Sequence, residues 1–147
     1  MEKCSVVGSG KKIVLIEDDD IDVMVFKRAM KQIEYRHSLK VFTNGYEFLE
    51  FIDNNSWQPE VLFLDLNTPR VNGIELLKTL IKYREKYFFP VVVLSSSDND
   101  NDIEEAYKNM ANGYITKSVT FNTFVEDLKI VLQYWDTVHI PKGVNNE

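Results

Sequence analysis

Four short apolar segments of this sequence are each followed at once by a polar side chain that can do chemistry. Glu17 and Asp18 follow the first segment and Asp65 follows a second. Ser95 and Lys117 follow two later segments. Carboxylates that lie close together raise one another's pKa unless a cation sits between them. If the fold brings these groups together, they form an oxygen-rich site for a divalent cation, with a hydroxyl and an ammonium group beside it.

This combination of groups suits the transfer of a phosphoryl group to a carboxylate. Mg²⁺ takes oxygen ligands in an octahedron and usually keeps several waters. Asp18, Asp65 and one loop carbonyl can supply three protein ligands. A carboxylate whose charge is neutralised in this way can act as a nucleophile. The metal and Lys117 then stabilise the equatorial oxygens of the transferred group, and Ser95 donates a hydrogen bond to it.

The other acids near the first segment fit a structural role. Asp19, Asp20 and Asp22 precede or begin a helical pattern. Acidic side chains in such positions accept hydrogen bonds from backbone N–H groups and offset the helix dipole. We interpret these three residues in this way. The functional interpretation of the remaining groups depends on their coincidence, because suitable residue types directly follow four of the apolar segments.

Five apolar segments alternate with amphipathic helical patterns along the chain. The strands that we predict cover residues 13–16, 39–42, 61–64, 91–94 and 114–116. The first, third and fourth are apolar on both faces, which is typical of buried parallel strands. Helical spacing also predicts core-facing side chains. In the first helix these are Ile21, Val25, Ala29 and Ile33, and in the fourth they are Ile103, Ala106, Tyr107 and Met110. Asn112-Gly113 has the composition of a C-cap for the fourth helix.

Repeated β-α units predict an α/β fold with a doubly wound parallel sheet and right-handed crossovers. We expect the flavodoxin-like (βα)5 architecture with strand order 2-1-3-4-5. Ligands of such sheets bind beyond the carboxyl ends of the strands. We divide the chain into an N-terminal tail (1–11), one domain (12–135) and a short C-terminal extension (136–147).

Charge and composition exclude several classes of function. The formal net charge is −6 and no basic stripe is present, so nucleic-acid binding is not expected. No apolar run approaches the roughly 20 residues of a membrane span, and no signal peptide is evident. The single cysteine, Cys4, allows no intrachain disulfide. We therefore expect a cytoplasmic protein without a membrane partner.

Five segments follow one another in a recognisable order along the chain. They are IVLIEDD at 13–19, LFLDLNTPRVNG at 62–73, PVVVLSS at 90–96, NGYITK at 112–117 and the closing amphipathic helix. Together they resemble the CheY-like receiver domains of two-component response regulators. The second segment is the most specific, because Asp65 is followed by Pro69 and then Gly73. The resemblance extends from about Lys12 to Trp135.

The resemblance implies a metal site and a phosphoacceptor. Asp65 is similar to the family's phosphoacceptor and is also implied as a metal ligand. Asp18 matches the direct metal ligand, and Glu17 matches the acid that contacts the metal through water. The backbone carbonyl of Asn67 is implied as the third protein ligand. The cofactor implied is Mg²⁺, or Mn²⁺ in its place.

The resemblance also implies a set of phosphoryl-binding and switch residues. Ser95 and Lys117 match the hydroxyl and the lysine that contact the phosphoryl group. Tyr114 matches the aromatic switch position. Asn67 and Ser97 match the two positions that tune how fast the phosphoryl group is hydrolysed.

One position departs from the family pattern. Ser118 follows Lys117 where receivers usually have a proline in a cis peptide. A cis bond before a residue other than proline costs roughly 3–4 kcal/mol, so the Lys117–Ser118 bond is either trans or held cis by its surroundings. With Trp135 at the helix end and Pro141 beyond it, this variant resembles the single-domain regulators that partner cyanobacterial phytochromes.

The function implied is that of a stand-alone response regulator rather than an enzyme. A sensor histidine kinase, phytochrome-like in this subgroup, would supply the phosphoryl group, and any catalysis would be limited to self-phosphotransfer and autodephosphorylation. Only 12 residues follow Trp135, so we expect output by binding to another protein, by passing the phosphoryl group on, or by dimerisation. The closing helix and the extension, with Val138 and Ile140, are candidates for the dimer surface. Alternatively, the extension packs back on the domain.

Other interpretations of the sequence are weaker. A receiver-shaped interaction module that is never phosphorylated generally lacks the acid pair, the acceptor or the lysine, all of which are present. A haloacid-dehalogenase-type phosphohydrolase needs a second acid where Asn67 stands. A flavodoxin-like electron carrier needs a phosphate-binding loop, and the acids at 18–20 have the wrong charge. The segment 98–102 resembles the start of an EF-hand loop, but Ile103 and Asn109 replace the required Gly and Glu.

Overall fold

Five strands and five helices alternate along the chain. The computed structural model describes residues 11–34, 36–55, 57–66, 73–117, 120–138 and 140. The elements are β1 (Lys11–Ile16), α1 (Asp20–Ile33), β2 (His37–Phe42), α2 (Gly45–Asn55), β3 (Val61–Asp65), α3 (Gly73–Tyr83), β4 (Val91–Ser95), α4 (Asp100–Lys108), β5 (Gly113–Thr116) and α5 (Phe121–Thr137).

The strands form one parallel sheet in the order β2-β1-β3-β4-β5. This confirms the predicted flavodoxin-like (βα)5 fold and its strand order. The chain runs from β1 outward to β2, crosses back to β3, and then proceeds to β4 and β5. The reversal of direction after β2 leaves a crevice at the carboxyl ends of β1 and β3, where such folds bind ligands.

The sheet has an apolar core on each face. Side chains of β1, β3 and β4 alternate between the two cores, so Leu62 and Leu64 join one cluster and Phe63 joins the other. The first core lies under α2, α3 and α4, and the second lies under α1 and α5. Burial on both faces explains why these strands are continuous apolar runs.

The predicted core face of α1 is wrong at its first position. Ile21 is 69% exposed, whereas Phe26, Ala29 and Met30 are buried. Positions four residues apart advance about 40° beyond one full helical turn. Ile21 is therefore rotated by about 80° from Ala29 and faces solvent.

The end of the fourth helix also differs from the prediction. α4 ends at Lys108, with Asn109 as the C-cap, and Met110 follows in the left-handed region with φ 73°. Tyr107 and Met110 are about half exposed and do not belong to the core face. Asn112 does not cap the helix either, because its side-chain oxygen accepts a hydrogen bond from the backbone N–H of Val91 at 2.9 Å.

Several predictions concern parts of the chain outside the described residues. These include the tail at 1–10, most of the extension beyond Val138, and the domain boundaries that depend on them. Ile140 is described, and it lines an open cavity of about 350 Å³ together with Trp135, Phe88 and Phe89. This residue of the extension therefore lies against the domain, and self-association stays a prediction. Among the described helices, none is long and apolar enough to cross a membrane.

Candidate functional site

Strand register brings the predicted groups to one edge of the sheet. Asp65, the last residue of β3, pairs with Leu94 of β4, and Ser95 is the next residue along β4. Glu17 directly follows β1, and Lys117 directly follows β5. Four of the predicted residues thus leave neighbouring strands at the same level, because parallel strands end at a common edge.

Lys117 makes the central contacts of the site. Its Nζ donates to Asp65 Oδ2 at 2.9 Å and to Asp22 Oδ2 at 3.0 Å, and it lies 3.4 Å from Glu17 Oε1. Its backbone N–H donates to the carbonyl of Ser95 at 2.6 Å. The lysine therefore links β4 and β5 to the acid that follows β1, the acid that ends β3 and one acid of α1.

The burial of the acids perturbs their electrostatics. Glu17 and Asp65 are each only 2% exposed. Burial, followed by the hydrogen bond and the negative charge of Asp65, raises the pKa of Glu17 to about 8, although Lys117 and a backbone hydrogen bond act in the opposite direction. Burial by itself lowers the pKa of Lys117, but hydrogen bonds to Asp65 and Asp22 outweigh it and raise that pKa above the ordinary lysine value. The site thus holds a surplus of acid that a cation would stabilise.

The donor set fits a hard divalent cation. Glu17, Asp22 and Asp65 each offer a carboxylate oxygen, and these oxygens lie within 4.8 Å of one another. Mg²⁺ and similar cations prefer such oxygen ligands. Asp18, the predicted direct ligand, is partly exposed and does not belong to this group of oxygens. Its role as a ligand stays a prediction.

Two predicted positions lie outside the described residues. One is Asn67, which was predicted to supply a metal-binding carbonyl and to tune hydrolysis. The other is Ser118, so the peptide bond between Lys117 and Ser118, predicted to be either trans or held cis, also lies outside the described residues. The place of the Lys117 amine itself is given by the three contacts described above.

Asp22 is the site residue that sequence reasoning missed. The capping role belongs to Asp19, whose Oδ1 accepts hydrogen bonds from the N–H groups of Ile21 at 2.8 Å and Asp22 at 3.4 Å. The Asp22 side chain instead reaches Lys117. A signal was available, because Asp22 lies four residues before Phe26 and therefore shares the inward stripe of α1.

Ser97 connects the hydroxyl of Ser95 to the next helix. Ser95 is buried, and its Oγ accepts from the Ser97 N–H at 3.1 Å. The Tyr114 hydroxyl donates to the Ser97 carbonyl at 2.9 Å. The Ser97 hydroxyl donates to Asp102 of α4 at 2.6 Å. These hydrogen bonds would therefore transmit a displacement of Ser95 to β5 and to the start of α4.

This arrangement can support phosphoryl chemistry on a carboxylate. A buried carboxylate, an ammonium group, a hydroxyl and carboxylate oxygens close enough to hold a metal ion lie at one edge of the sheet. Such chemistry needs little beyond positioning and charge stabilisation of the transferred group.

Comparison with known proteins identifies the family. Residues 13–129 match the family model of the response regulator receiver domain. Response regulator Rcp1 from Synechocystis sp. is 29% identical over 137 residues, which cover 89% of this chain and 93% of that protein. The predicted resemblance is therefore confirmed.

Solved structures give the same result. The phosphorylated cyanobacterial phytochrome response regulator RcpA matches with a TM-score of 0.77 and 29% identity, over 90% of this chain and 98% of that one. The Mn²⁺-bound form of Rcp1 matches with a TM-score of 0.76 and 29% identity, over 89% of this chain and 99% of that one.

Proposed function

Since the chain belongs to the response regulator receiver family, we propose that it accepts a phosphoryl group from a sensor histidine kinase on Asp65. The contact between Lys117 Nζ and Asp65 Oδ2, at 2.9 Å within the acid group, is the observation that supports this proposal best. It brings an ammonium group to the carboxylate that would become the acyl phosphate.

The reaction is a transfer from nitrogen to oxygen. A carboxylate oxygen of Asp65 attacks the phosphorus of a phosphohistidine, the P–N bond breaks, and the imidazole leaves with the electron pair. Lys117 then turns from Asp65 to the transferred oxygens, and the Ser95 hydroxyl donates a hydrogen bond to another of them. Bound Mg²⁺ or Mn²⁺ would supply positive charge beside the carboxylates and the transferred group.

The ligands proposed for this cation combine the sequence and the geometry. Glu17 and Asp65 belong to the group of oxygens within 4.8 Å. Asp18 and the carbonyl of Asn67 are the further ligands that the family pattern implies. Rcp1, whose solved structure is a Mn²⁺-bound form, is similar to this chain and so supports a divalent cation here.

Phosphorylation would shift the conformation through Ser95 and Lys117. Two hydrogen bonds to a charged group contribute roughly 1.5–3 kcal/mol each, or about 3–6 kcal/mol together. Moving a population from 1:99 to 99:1 needs about 5.5 kcal/mol. These two hydrogen bonds are therefore strong enough to cause a large shift in the conformational population. The hydrogen bonds of Ser97 with Ser95, Tyr114 and Asp102 would transmit the change to α4.

Similarity to RcpA, a cyanobacterial phytochrome response regulator, supports a phytochrome-like kinase as the donor. For the output we propose a partner protein or a homodimer that uses α5. Ile130 and Tyr134 of that helix are 61% and 56% exposed, which gives it an apolar surface to offer. A phosphorylated sample that stays monomeric at high concentration would exclude the homodimer.

The test is the intact mass of the protein after incubation with acetyl phosphate and Mg²⁺. We expect the wild type to gain one phosphoryl group. We expect no gain when a chelator is present during the incubation, and none in Asp65→Asn. Asp100→Asn, an acid in the first turn of α4, is the control and should still be loaded. If neither acetyl phosphate nor a phosphorylated histidine kinase modifies the wild type, the protein is an interaction module that works without phosphorylation.

A further inference from the structure

We propose that Asp22 is a positioning residue that holds the Lys117 amine toward the open side of the site. In this role Asp22 sets how fast Asp65 is phosphorylated. The inference rests on the proposed function and concerns a residue that capping rules alone would assign to the start of α1.

The ion pairs around Lys117 are arranged from the interior to the surface. Asp65 and Glu17 are 2% exposed, the Lys117 side chain is 21% exposed, and the Asp22 side chain is 40% exposed. The amine lies 2.9 Å from Asp65 and 3.0 Å from Asp22. Lys117 is thus held between a buried carboxylate and one that borders solvent.

The chemistry requires the amine to change partners. While Lys117 donates to Asp65 Oδ2, it occupies an oxygen of the nucleophile. During transfer it must release that oxygen and donate to the phosphoryl group, which enters from solvent. An ammonium group has three N–H donors, so one can stay on Asp22 while the others turn. Without Asp22, the carboxylates that still contact the amine among the described residues are the two buried ones, which draw it inward.

Separate elements fix the two ends of this ion pair. The Lys117 backbone is tied to β4 by its 2.6 Å hydrogen bond to the Ser95 carbonyl. Asp22 lies in the first turn of α1, which is capped by Asp19 and packs on the sheet through Phe26. Asp22 is therefore held in place independently of the chain that follows Lys117.

The experiment compares two substitutions in the same helical turn. Asp22→Asn keeps the shape of the side chain and removes its charge. Asp20→Asn is the control, because it removes one negative charge from the same first turn, and so from the same helix dipole, at a residue that does not contact Lys117 in the described contacts. Phosphorylation by acetyl phosphate is followed at saturating Mg²⁺. We expect the maximal rate to fall about tenfold in Asp22→Asn, which corresponds to about 1.4 kcal/mol, and to stay unchanged in Asp20→Asn.

A double-mutant cycle with Lys117→Met separates positioning from other roles. If Asp22 acts through the amine, Asp22→Asn has no further effect once the amine is gone. The affinity for beryllofluoride, an unreactive phosphoryl mimic, is also measured for the wild type, the two single variants and the double variant. The coupling between Asp22 and Lys117 can then be determined even where phosphorylation is too slow to follow. Thermal unfolding confirms that each variant is folded.

Two results would overturn the inference. One is a rate for Asp22→Asn equal to that of Asp20→Asn. The other is an additive effect in the Lys117→Met background, which would mean that Asp22 acts on the metal or on the fold. In both cases the wild type is still phosphorylated on Asp65, so the proposed function survives; a wild type that is never phosphorylated would remove both.

Discussion

Replacing Glu17 by Gln should make the stability of the metal-free protein much less dependent on pH. The Glu17 side chain is almost fully buried, and burial, together with Asp65, raises its pKa from 4.5 to about 8. In the unfolded chain the same carboxyl ionises near its ordinary pKa. Between these two values the native protein keeps a proton that the unfolded chain has lost.

The size of the effect follows from this difference in proton binding. Because the folded pKa is raised, the stabilisation is fully present below the unfolded pKa and is lost as pH rises through the folded one. The free energy of unfolding falls by about 1.4 kcal/mol for each pH unit in this window. Over the window between 4.5 and about 8, the loss from this group is about 5 kcal/mol, a large share of the roughly 5–15 kcal/mol that stabilises most domains.

Urea unfolding in the presence of a chelator measures this dependence. The wild type and Glu17→Gln are compared at about pH 5.5, 6.5 and 7.5, and the difference between them isolates the contribution of Glu17. Glu126→Gln, an exposed acid of α5, is the control and should follow the wild type. Adding Mg²⁺ should stabilise the wild type more at high pH than at low pH, because binding requires the ionised carboxylate.

Parallel pH profiles for the wild type and Glu17→Gln would refute this reasoning. They would mean that Glu17 ionises in the folded protein much as it does in the unfolded chain. The buried contact with Asp65 would then not hold a proton in the metal-free state.

Three further substitutions test the surroundings of the site. Ser97→Ala removes the hydroxyl that donates to Asp102, and we expect a loss of about 1 kcal/mol in urea unfolding. Tyr114→Phe removes the donor to the Ser97 carbonyl, so amide hydrogen exchange at the start of α4 should accelerate. Unchanged exchange would contradict the proposed connection between Tyr114 and α4. Gly73→Ala would place a Cβ 2.9 Å from the Cα of Leu66. That contact should lower the free energy of unfolding by about 1–3 kcal/mol. It should also slow phosphorylation of Asp65, which directly precedes Leu66. An unaltered unfolding midpoint would contradict this and show that α3 can shift without strain.

The fold could be predicted because its signals are local and repeated. Strands such as Val91–Ser95 are apolar on both faces, and each is separated from the next by an amphipathic helical pattern. Repeated β-α units leave few allowed topologies, and the order of the strands followed. The strand-end residues Glu17, Asp65, Ser95 and Lys117 could be predicted as a group for the same reason.

The predictions failed where an outcome depends on how an element is rotated. Ile21 fits a helical repeat, yet it faces solvent because α1 packs through Phe26, Ala29 and Met30. Asp22 fits a capping pattern, yet it lies on the inward side of the same helix. A repeat of four residues does not fix the helix face closely enough to distinguish these cases.

The sequence by itself therefore determined the architecture, the family and the residues at the carboxyl ends of the strands. Those properties depend on residue type and on order along the chain. Tertiary structure decided which acid shares the lysine, because Lys117 contacts Asp22 at a sequence separation of 95 residues. It also decided that Glu17 is buried enough for its pKa to rise to about 8. Both outcomes depend on contacts between elements that are far apart in the sequence, which no local pattern specifies.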